Sequence, residues 1–506
     1  MSGAWIWIED LRDALRHDEE LPHYQILSNS LRDLILQGNL APGTKLPPTR
    51  NLADDLQCSR NTVIGAFQLL IEAGFIESRV GSGTYVSKVL PTSVLKMRRD
   101  QAPKHSQRKR FLSDRGQRLS RFTPPFKGPR KPAFIPGLAD GSLFPFDVWA
   151  RLVMSTQQEL GGALLESTSP SGYWPLREAI ADHLHKTQGI RRLPQQIIMT
   201  GLSVQAVDLI ARMLADPGDS IWVEDPGPRH LREPLLAADM VMVPVPVDDE
   251  GLMVEHGIGL APDARLAVVN PSSHFPLGVN LSLSRKLKLL GWAAETGAWI
   301  IEDGIPEVRG SGHQPDDSLL RLDTRSRGGY DRVLRIGSFS RTCLPDIKMG
   351  YVVVPEDLVD SFERARAGAD YSISTLIQPA FSRFLDQGHF TAHLRRVRTH
   401  LAERHTAMVE GLGQHLDDLL EPVPSQPGSE ICCYLTNGVA AKVSDGDIEK
   451  ACASAGITVT AVSKHYLEAR RKQGLVLGYT AVPAEKITTY LKELEQVIRK
   501  LIATRA

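Results

Sequence analysis

Hydrophobic periodicity disappears over residues 89–132, and that gap constrains the architecture more than any other feature of the 506-residue chain. The gap is rich in Pro, Ser, Gln, Lys and Arg, and it holds thirteen Lys/Arg against two Asp/Glu. A segment of this composition has too little apolar surface to offset the entropy of ordering, so it separates folded bodies rather than joining a core. The chain exceeds one ordinary core in any case, and its 42% hydrophobic content suffices for packed domains on both sides of the gap. The expected division is a head over residues 1–88, with its core from about residue 20, a basic linker over 89–132, and a large domain over 133–506. Charge follows the same division. Residues 1–88 carry eight Lys/Arg against eleven Asp/Glu, while the formal charge of the whole chain is zero. The linker cations either contact a phosphate backbone or keep a connector solvated, and charge alone does not choose between the two.

Five cysteines, Cys58, Cys343, Cys432, Cys433 and Cys452, form no C-x-x-C pair and no metal-ligand spacing. Neither a disulfide framework nor a zinc site is expected, and a reducing cytoplasm fits. The N-terminus has no basic start followed by an apolar stretch, and no apolar run approaches the span of a bilayer, so a cytoplasmic protein without membrane contact is expected.

In the head, Ile26, Leu27, Leu31, Leu34 and Ile35 recur at helical spacing and Gly38 ends the pattern. Pro42-Gly43 turns the chain, Pro47-Pro48 restarts it, and Leu52, Ala53 and Leu56 mark a shorter helix ending near Gln57. A third helix follows at once. Ser59 is placed to cap it, Val63, Phe67, Leu70 and Ile71 form the expected buried stripe, and Arg60, Asn61 and Thr62 occupy the opening turn. Two short strands, Phe75 to Ser78 and Thr84 to Val86, flank Gly81-Ser82-Gly83, whose glycines allow a tight hairpin to approach a phosphate closely.

The run from LPHYQILSNSLRDLILQ through CSRNTV to GFIESRVGSGTYV resembles the winged helix-turn-helix of the GntR family. The resemblance implies that Arg50, Ser59, Arg60, Asn61 and Thr62 contact double-stranded DNA, with the first turn of the third helix reaching bases. It also implies that the wing at Gly81, Ser82 and Gly83 lies on the backbone or in the minor groove.

In the large domain, helical stretches alternate with short apolar runs at Ile197–Thr200, Ser220–Val223, Met240–Val243, Leu266–Val269, Trp299–Ile301 and Val333–Ile336. That rhythm implies an α/β domain with a mainly parallel sheet, and ligands of such sheets bind at the carboxyl ends of the strands. The segments PSGYWPLREAIADHL, LADPGDSIWVEDPG, NPSSHFPLGVNLSLSRKLKLLGWAAETGAWIIEDG and RIGSFSRTCLPDIKMGYVVVP resemble fold-type I aminotransferases, which use pyridoxal phosphate (PLP). The chain from end to end is similar to the MocR subgroup of GntR regulators, which fuse such a head to such a domain and dimerise.

The departures from that pattern bear on the chemistry. A PLP enzyme needs a lysine amine to attack the cofactor aldehyde and a carboxylate to keep the pyridine nitrogen protonated. The resemblance maps the carboxylate to Asp303, but the lysine expected after Ser338-Phe339-Ser340 is Arg341, whose guanidinium stays protonated and is a poor nucleophile. Pro228 stands where a ring-stacking aromatic is expected, Ile305 where a tyrosine is expected, and Gly201-Leu202-Ser203-Val204 where a Ser-Gly-Ala-Gln phosphate loop is expected. Ser338 and Lys348 match phosphate contacts of the family, and Arg341 can join them as an anion clamp. Ser273 and His274 fall on a loop that approaches the cofactor in relatives, where a lone histidine reads first as a hydrogen-bonded loop residue. Three readings stay open: a DNA-binding regulator sensing a small anionic effector, PLP or a relative, without a covalent bond; a working PLP enzyme with a DNA-binding head; and an apo dimerisation scaffold. The first is the expectation, with no catalytic residue and no metal.

Overall fold

The protein is described from a computed structural model covering residues 7–17, 21–79, 81–88, 111–120, 133–165, 169–304, 318–325, 331–340, 342–343, 347–369, 373–374, 376–425, 427–468 and 472–505. It divides into two compact units, residues 1–111 and 112–506. The expected positions Ile305 and Arg341, and most of the basic linker, lie outside the described residues.

In the first unit, four helices precede a hairpin: α1 (Trp7–His17), α2 (His23–Gln37), α3 (Thr49–Leu56), α4 (Arg60–Glu72), β1 (Ile76–Arg79) and β2 (Gly83–Val86). The apolar stripe of α2 is buried throughout, and Gly38 ends the helix in the left-handed conformation at φ 87°. Gln57 closes α3 in the same region at φ 55°. Two expectations need correction. Trp7 and Leu11 of α1 enter the same core, so the head's core begins well before residue 20. In α4 the buried stripe is Val63, Ala66, Phe67 and Leu70, while Ile71 is 43% exposed. At about 100° per residue Ile71 falls roughly 80° past Val63, outside the arc that these four residues occupy. The hairpin pairs Ile76 with Val86 and Arg79 with Gly83. Residues 43–46 add to its free edge, through Leu46 N donating to Thr84 O at 2.9 Å and Val86 N donating to Thr44 O at 2.9 Å.

The second unit begins with α5 (Asp114–Leu119), α6 (Phe146–Leu160) and α7 (Trp174–Gln188). Its sheet is built from β3 (Ile197–Thr200), β4 (Ser220–Asp225), β5 (Val241–Asp248), β6 (Gly251–Leu252), β7 (Leu266–Val269), β8 (Trp299–Gly304), β9 (Val333–Ser338) and β10 (Gly350–Val353). Between these strands run α8 (Ser203–Leu214), α9 (Arg229–Ala237), α10 (Val254–Leu260), α11 (Leu283–Thr296) and α12 (Leu319–Arg325). The spatial order is β3-β10-β9-β8-β7-β4-β5-β6, parallel from β9 to β5 and antiparallel where β10 meets β3 and β9 and where β6 meets β5. The α/β expectation therefore holds, and every expected strand is present, four of them two to four residues longer than expected. Strand β10 was not anticipated.

Alternation along the strands splits the apolar residues between two cores. Ile198, Val223, Val268, Ile301 and Ile336 pack with α8 and α9, whereas Met199, Trp222, Val269 and Ile300 pack against α7 and α11. A smaller subdomain follows α13 (Val359–Ala369), α14 (Gln378–Asp386) and the long α15 (His389–His415). It comprises β11 (Leu420–Pro422), β12 (Glu430–Leu435), α16 (Asn437–Ala440), α17 (Asp445–Ser454), β13 (Thr460–Ala461), β14 (Gly474–Gly478) and α18 (Ala484–Ala503), with an antiparallel sheet ordered β11-β12-β14-β13. Phe134, just past the linker, is fully buried there and bridges to Gly478.

Within the linker, residues 111–120 are described and contain one helix. Helix α5, capped by the Ser113 hydroxyl, packs on α9, and Arg115 and Arg118 both donate to the carboxylate of Asp239. These two cations are already paired within the large unit, which sets them apart from a purely solvated tether. Among the described residues no helix is long and apolar enough to cross a membrane.

Candidate functional site

The head exposes one polar turn. The Ser59 hydroxyl accepts from Thr62 N at 3.0 Å and lies 2.8 Å from the Thr62 hydroxyl, so both side chains close the cap of α4. Arg60 and Asn61 extend from that same turn and are exposed, as is Arg50 on the first turn of α3. At the wing, Gly81 and Gly83 take positive φ of 74° and 114°, and the Ser82 hydroxyl bonds the Tyr85 hydroxyl at 2.7 Å. Sequence reasoning missed the cations beside it. Lys45 and Arg79 lie over the Tyr85 ring at 5.7 and 4.8 Å, and Lys45 reaches this place through strand pairing across forty residues.

In the large unit, the alternation that buries Ile198, Val223, Val268, Ile301 and Ile336 continues two residues further to Thr200, Asp225, Asn270, Asp303 and Ser338. A polar row thus edges the carboxyl ends of the parallel strands on the α8 side. Register brings Thr200, Gly350 and Ser338 side by side across β3, β10 and β9. Lys348, exposed and left-handed at φ 43°, has its carbonyl next to Gly201. Asp303 is 7% exposed and near enough to Glu224 to act on it electrostatically. The Thr200 hydroxyl, the Ser340 hydroxyl and both ends of the Asn270 amide are buried without a hydrogen-bond partner among the described residues. The Gly201 amide, in contrast, is taken by the Gln205 side chain at 2.5 Å, which removes one donor from the loop expected to face a phosphate. Pro228 is buried and caps α9, so no ring stacks from that position.

Below this rim lies a cluster that sequence reasoning largely missed. Asp225 accepts from Leu467 N at 2.8 Å and Glu468 N at 3.3 Å, and it pairs with Arg232 at 3.5 Å. Arg232 also donates to the carbonyls of His465, at 2.8 Å, and Glu224. These bonds join β4 and α9 to a segment more than 230 residues further on. His274 is buried with Nε2 3.0 Å from the Pro226 carbonyl, which makes it a packed loop residue as expected, and Ser273 N bonds the Asn280 side chain. Burial pushes His274 down to about 3, His465 down to about 4 and Arg232 down to about 10, and it holds Glu224 well above the usual carboxylate range. Among the described residues no group of three His, Cys, Asp or Glu is placed to hold a metal.

Both histidines are neutral in the fold but take up protons in the unfolded chain near the ordinary value of about 6.5. The unfolded state therefore binds more protons between that value and the depressed ones, and stability falls as pH drops through this window. Glu224, kept protonated by burial, opposes the trend. Replacing His274 and His465 together by Gln is expected to flatten the loss between about pH 6 and pH 4.5, by up to about 1.4 kcal/mol per pH unit per histidine. Urea midpoints across that range check it; parallel curves for the two proteins would contradict it.

Comparison with known proteins agrees with both halves. The profile of bacterial regulatory proteins of the gntR family matches residues 23–86, and that of class I and II aminotransferases matches residues 138–472. The chain is 32% identical over 495 residues to a probable rhizopine catabolism regulatory protein, MocR, of Rhizobium meliloti, covering 97% of each. It is 26% identical to PdxR, a pyridoxine biosynthesis transcriptional regulator of Corynebacterium glutamicum, covering 97% of this chain and 99% of that one. Among solved structures, a multiple substrate aminotransferase from Thermococcus profundus shares the fold with a TM-score of 0.68 at 22% identity, over 78% of this chain and 98% of that one. The chain belongs to the MocR group of GntR-family transcription regulators, in which a DNA-binding winged helix-turn-helix is joined to an aminotransferase-like domain.

Proposed function

We propose that this DNA-binding regulator reads bases with the opening turn of α4 and senses a small anionic metabolite in its aminotransferase-like domain without bonding to it covalently. The division of labour follows a head over 1–88, a connector over 89–132 and an effector and dimerisation domain over 133–506. Arg50, Ser59, Arg60, Asn61, Thr62 and the Gly81-Ser82-Gly83 wing serve DNA, and Asp303, Ser338, Lys348 and Arg341 serve the effector. Two copies pair through the large domain, in keeping with operators whose half-sites mirror a two-fold axis.

The observation that carries effector sensing is a set of buried groups at this rim, the Thr200 and Ser340 hydroxyls and the Asn270 side-chain amide, that have no hydrogen-bond partner among the described residues. A buried donor or acceptor left unsatisfied costs about 1–3 kcal/mol, and Thr200, Ser340 and Asn270 each leave one or more. A ligand with polar ends relieves that cost; an apo scaffold does not. The residues suit PLP in part. Asp303 is an acceptor for a ring N–H, and Ser338 with Thr200 offers hydroxyls to a phosphate, whereas position 341 supplies a guanidinium instead of an amine. PLP when bound supplies an aldehyde and an electron-accepting ring, and the chain lacks the nucleophile expected at that position to engage the aldehyde. Lys348 is exposed, which speaks against its replacing that amine.

Arg60→Ala is expected to weaken specific DNA binding by about 1–3 kcal/mol, read by footprint titration; unchanged affinity would remove the turn from the DNA interface. Incubation with PLP followed by borohydride is expected to leave the mass of the chain unchanged while equilibrium dialysis shows saturable binding. A PLP adduct mapped to Lys348 or another lysine would instead establish the enzyme reading. Light scattering at micromolar protein is expected to give a dimer, and a monomer alone would remove the pairing.

A further inference from the structure

Helix α4 exposes an apolar side chain beside the polar residues of its opening turn. Ile64 is 41% exposed, although the same helix buries Val63, Ala66, Phe67 and Leu70. Counting about 100° per residue, Ile64 sits between Arg60 and Asn61 around the helix axis, roughly 40° from one and 60° from the other. Gln68, also exposed, continues that face one turn later. Along the axis Ile64 lies about 6 Å beyond Arg60, at 1.5 Å per residue. Ile71 shares that side of the helix but lies about 10 Å further along the axis, so Ile64 is the exposed apolar residue that adjoins the turn carrying Arg60 and Asn61.

We infer that Ile64 reads thymine, by packing its branched side chain on the C5-methyl group in the major groove. The inference rests on the reading of Arg60 and Asn61 given above and adds a residue of different chemistry to it. In the major groove the thymine methyl is the one apolar feature that a base pair presents, and an aliphatic side chain is its natural contact. Arginine and asparagine at the helix start discriminate by hydrogen bonds, and Ile64 discriminates by excluding water from a methyl-sized surface.

The test uses duplexes enriched by the full-length chain from a randomised pool, with each thymine replaced singly by deoxyuracil, which lacks only that methyl. At one position the unsubstituted protein is expected to lose about fourfold in affinity, the equivalent of one buried methyl group. Ile64→Ala is expected to bind the thymine duplex more weakly and to make no distinction between the two bases there, while Ile64→Val keeps most of the distinction. Because the side chain is exposed, neither change opens a cavity. An unchanged thymine preference in Ile64→Ala, or no thymine that matters to the unsubstituted protein, overturns the inference. So does weaker self-association of Ile64→Ala in sedimentation with its base preference intact, which makes the face a protein contact. Failure of the underlying reading looks different: Arg60→Ala would then leave DNA affinity unchanged.

Discussion

The site end of the large sheet depends on one buried ion pair. Arg335 and Glu302 face each other across β9 and β8, 2.5 Å apart, and both are almost wholly buried. Arg335 also donates to Gln188 at 2.7 Å, and Glu302 accepts from the Ser318 hydroxyl at 2.9 Å and Leu320 N at 3.0 Å. A pair so enclosed adds little net stability over apolar packing, but losing one partner strands a charge at a cost of about 3–5 kcal/mol. Its geometry dictates neighbouring residues. The Arg335 guanidinium fills the space that a side chain at Gly304 would need, within 2.6 Å of a built Cβ, and the Tyr351 ring does the same at Gly337. With Glu302 turned to the α7 side, strand alternation turns Asp303 to the α8 side, where the polar row lies.

Most of the head was legible because each of its elements carries its own local signal. Glycine and proline mark its turns, Ser59 marks a cap, and three short stripes of apolar residues find their core. The errors had local causes too. Ile71 looks like a core residue until Ala66 is counted, since alanine is easily overlooked in a stripe. Helix α1 is a short helix whose contribution to the core, Trp7, Ile8, Leu11 and Leu15, is interspersed with charged residues, too thin a pattern to separate from a solvated end.

In the large unit the parallel strands were readable as apolar runs, but their order and direction were not. Strand β10 reads like any buried strand, and its antiparallel sense follows from a connection that periodicity does not encode. The candidate site divides along the same line. Asp303 and Ser338 were reachable through motif, and Thr200 and Asn270 through alternation once the strands were placed. The clamp of Asp225, Arg232 and His465 joins positions over two hundred residues apart, and nothing local in the sequence announces it.

That clamp also separates the residues of the rim. Asp225 shares the strand position of Asp303 and Asn270, yet both of its oxygens are committed to the 467–468 backbone and to Arg232, and His274 is fixed to the Pro226 carbonyl. These polar groups are explained by the fold and ask for no ligand. Asn270 and Thr200, both buried, have no hydrogen-bond partner for their side chains among the described residues, at a desolvation cost that an aliphatic residue would not carry. One polar row therefore contains two kinds of residue: those whose polar groups the architecture uses, and those whose side chains have no hydrogen-bond partner among the described residues.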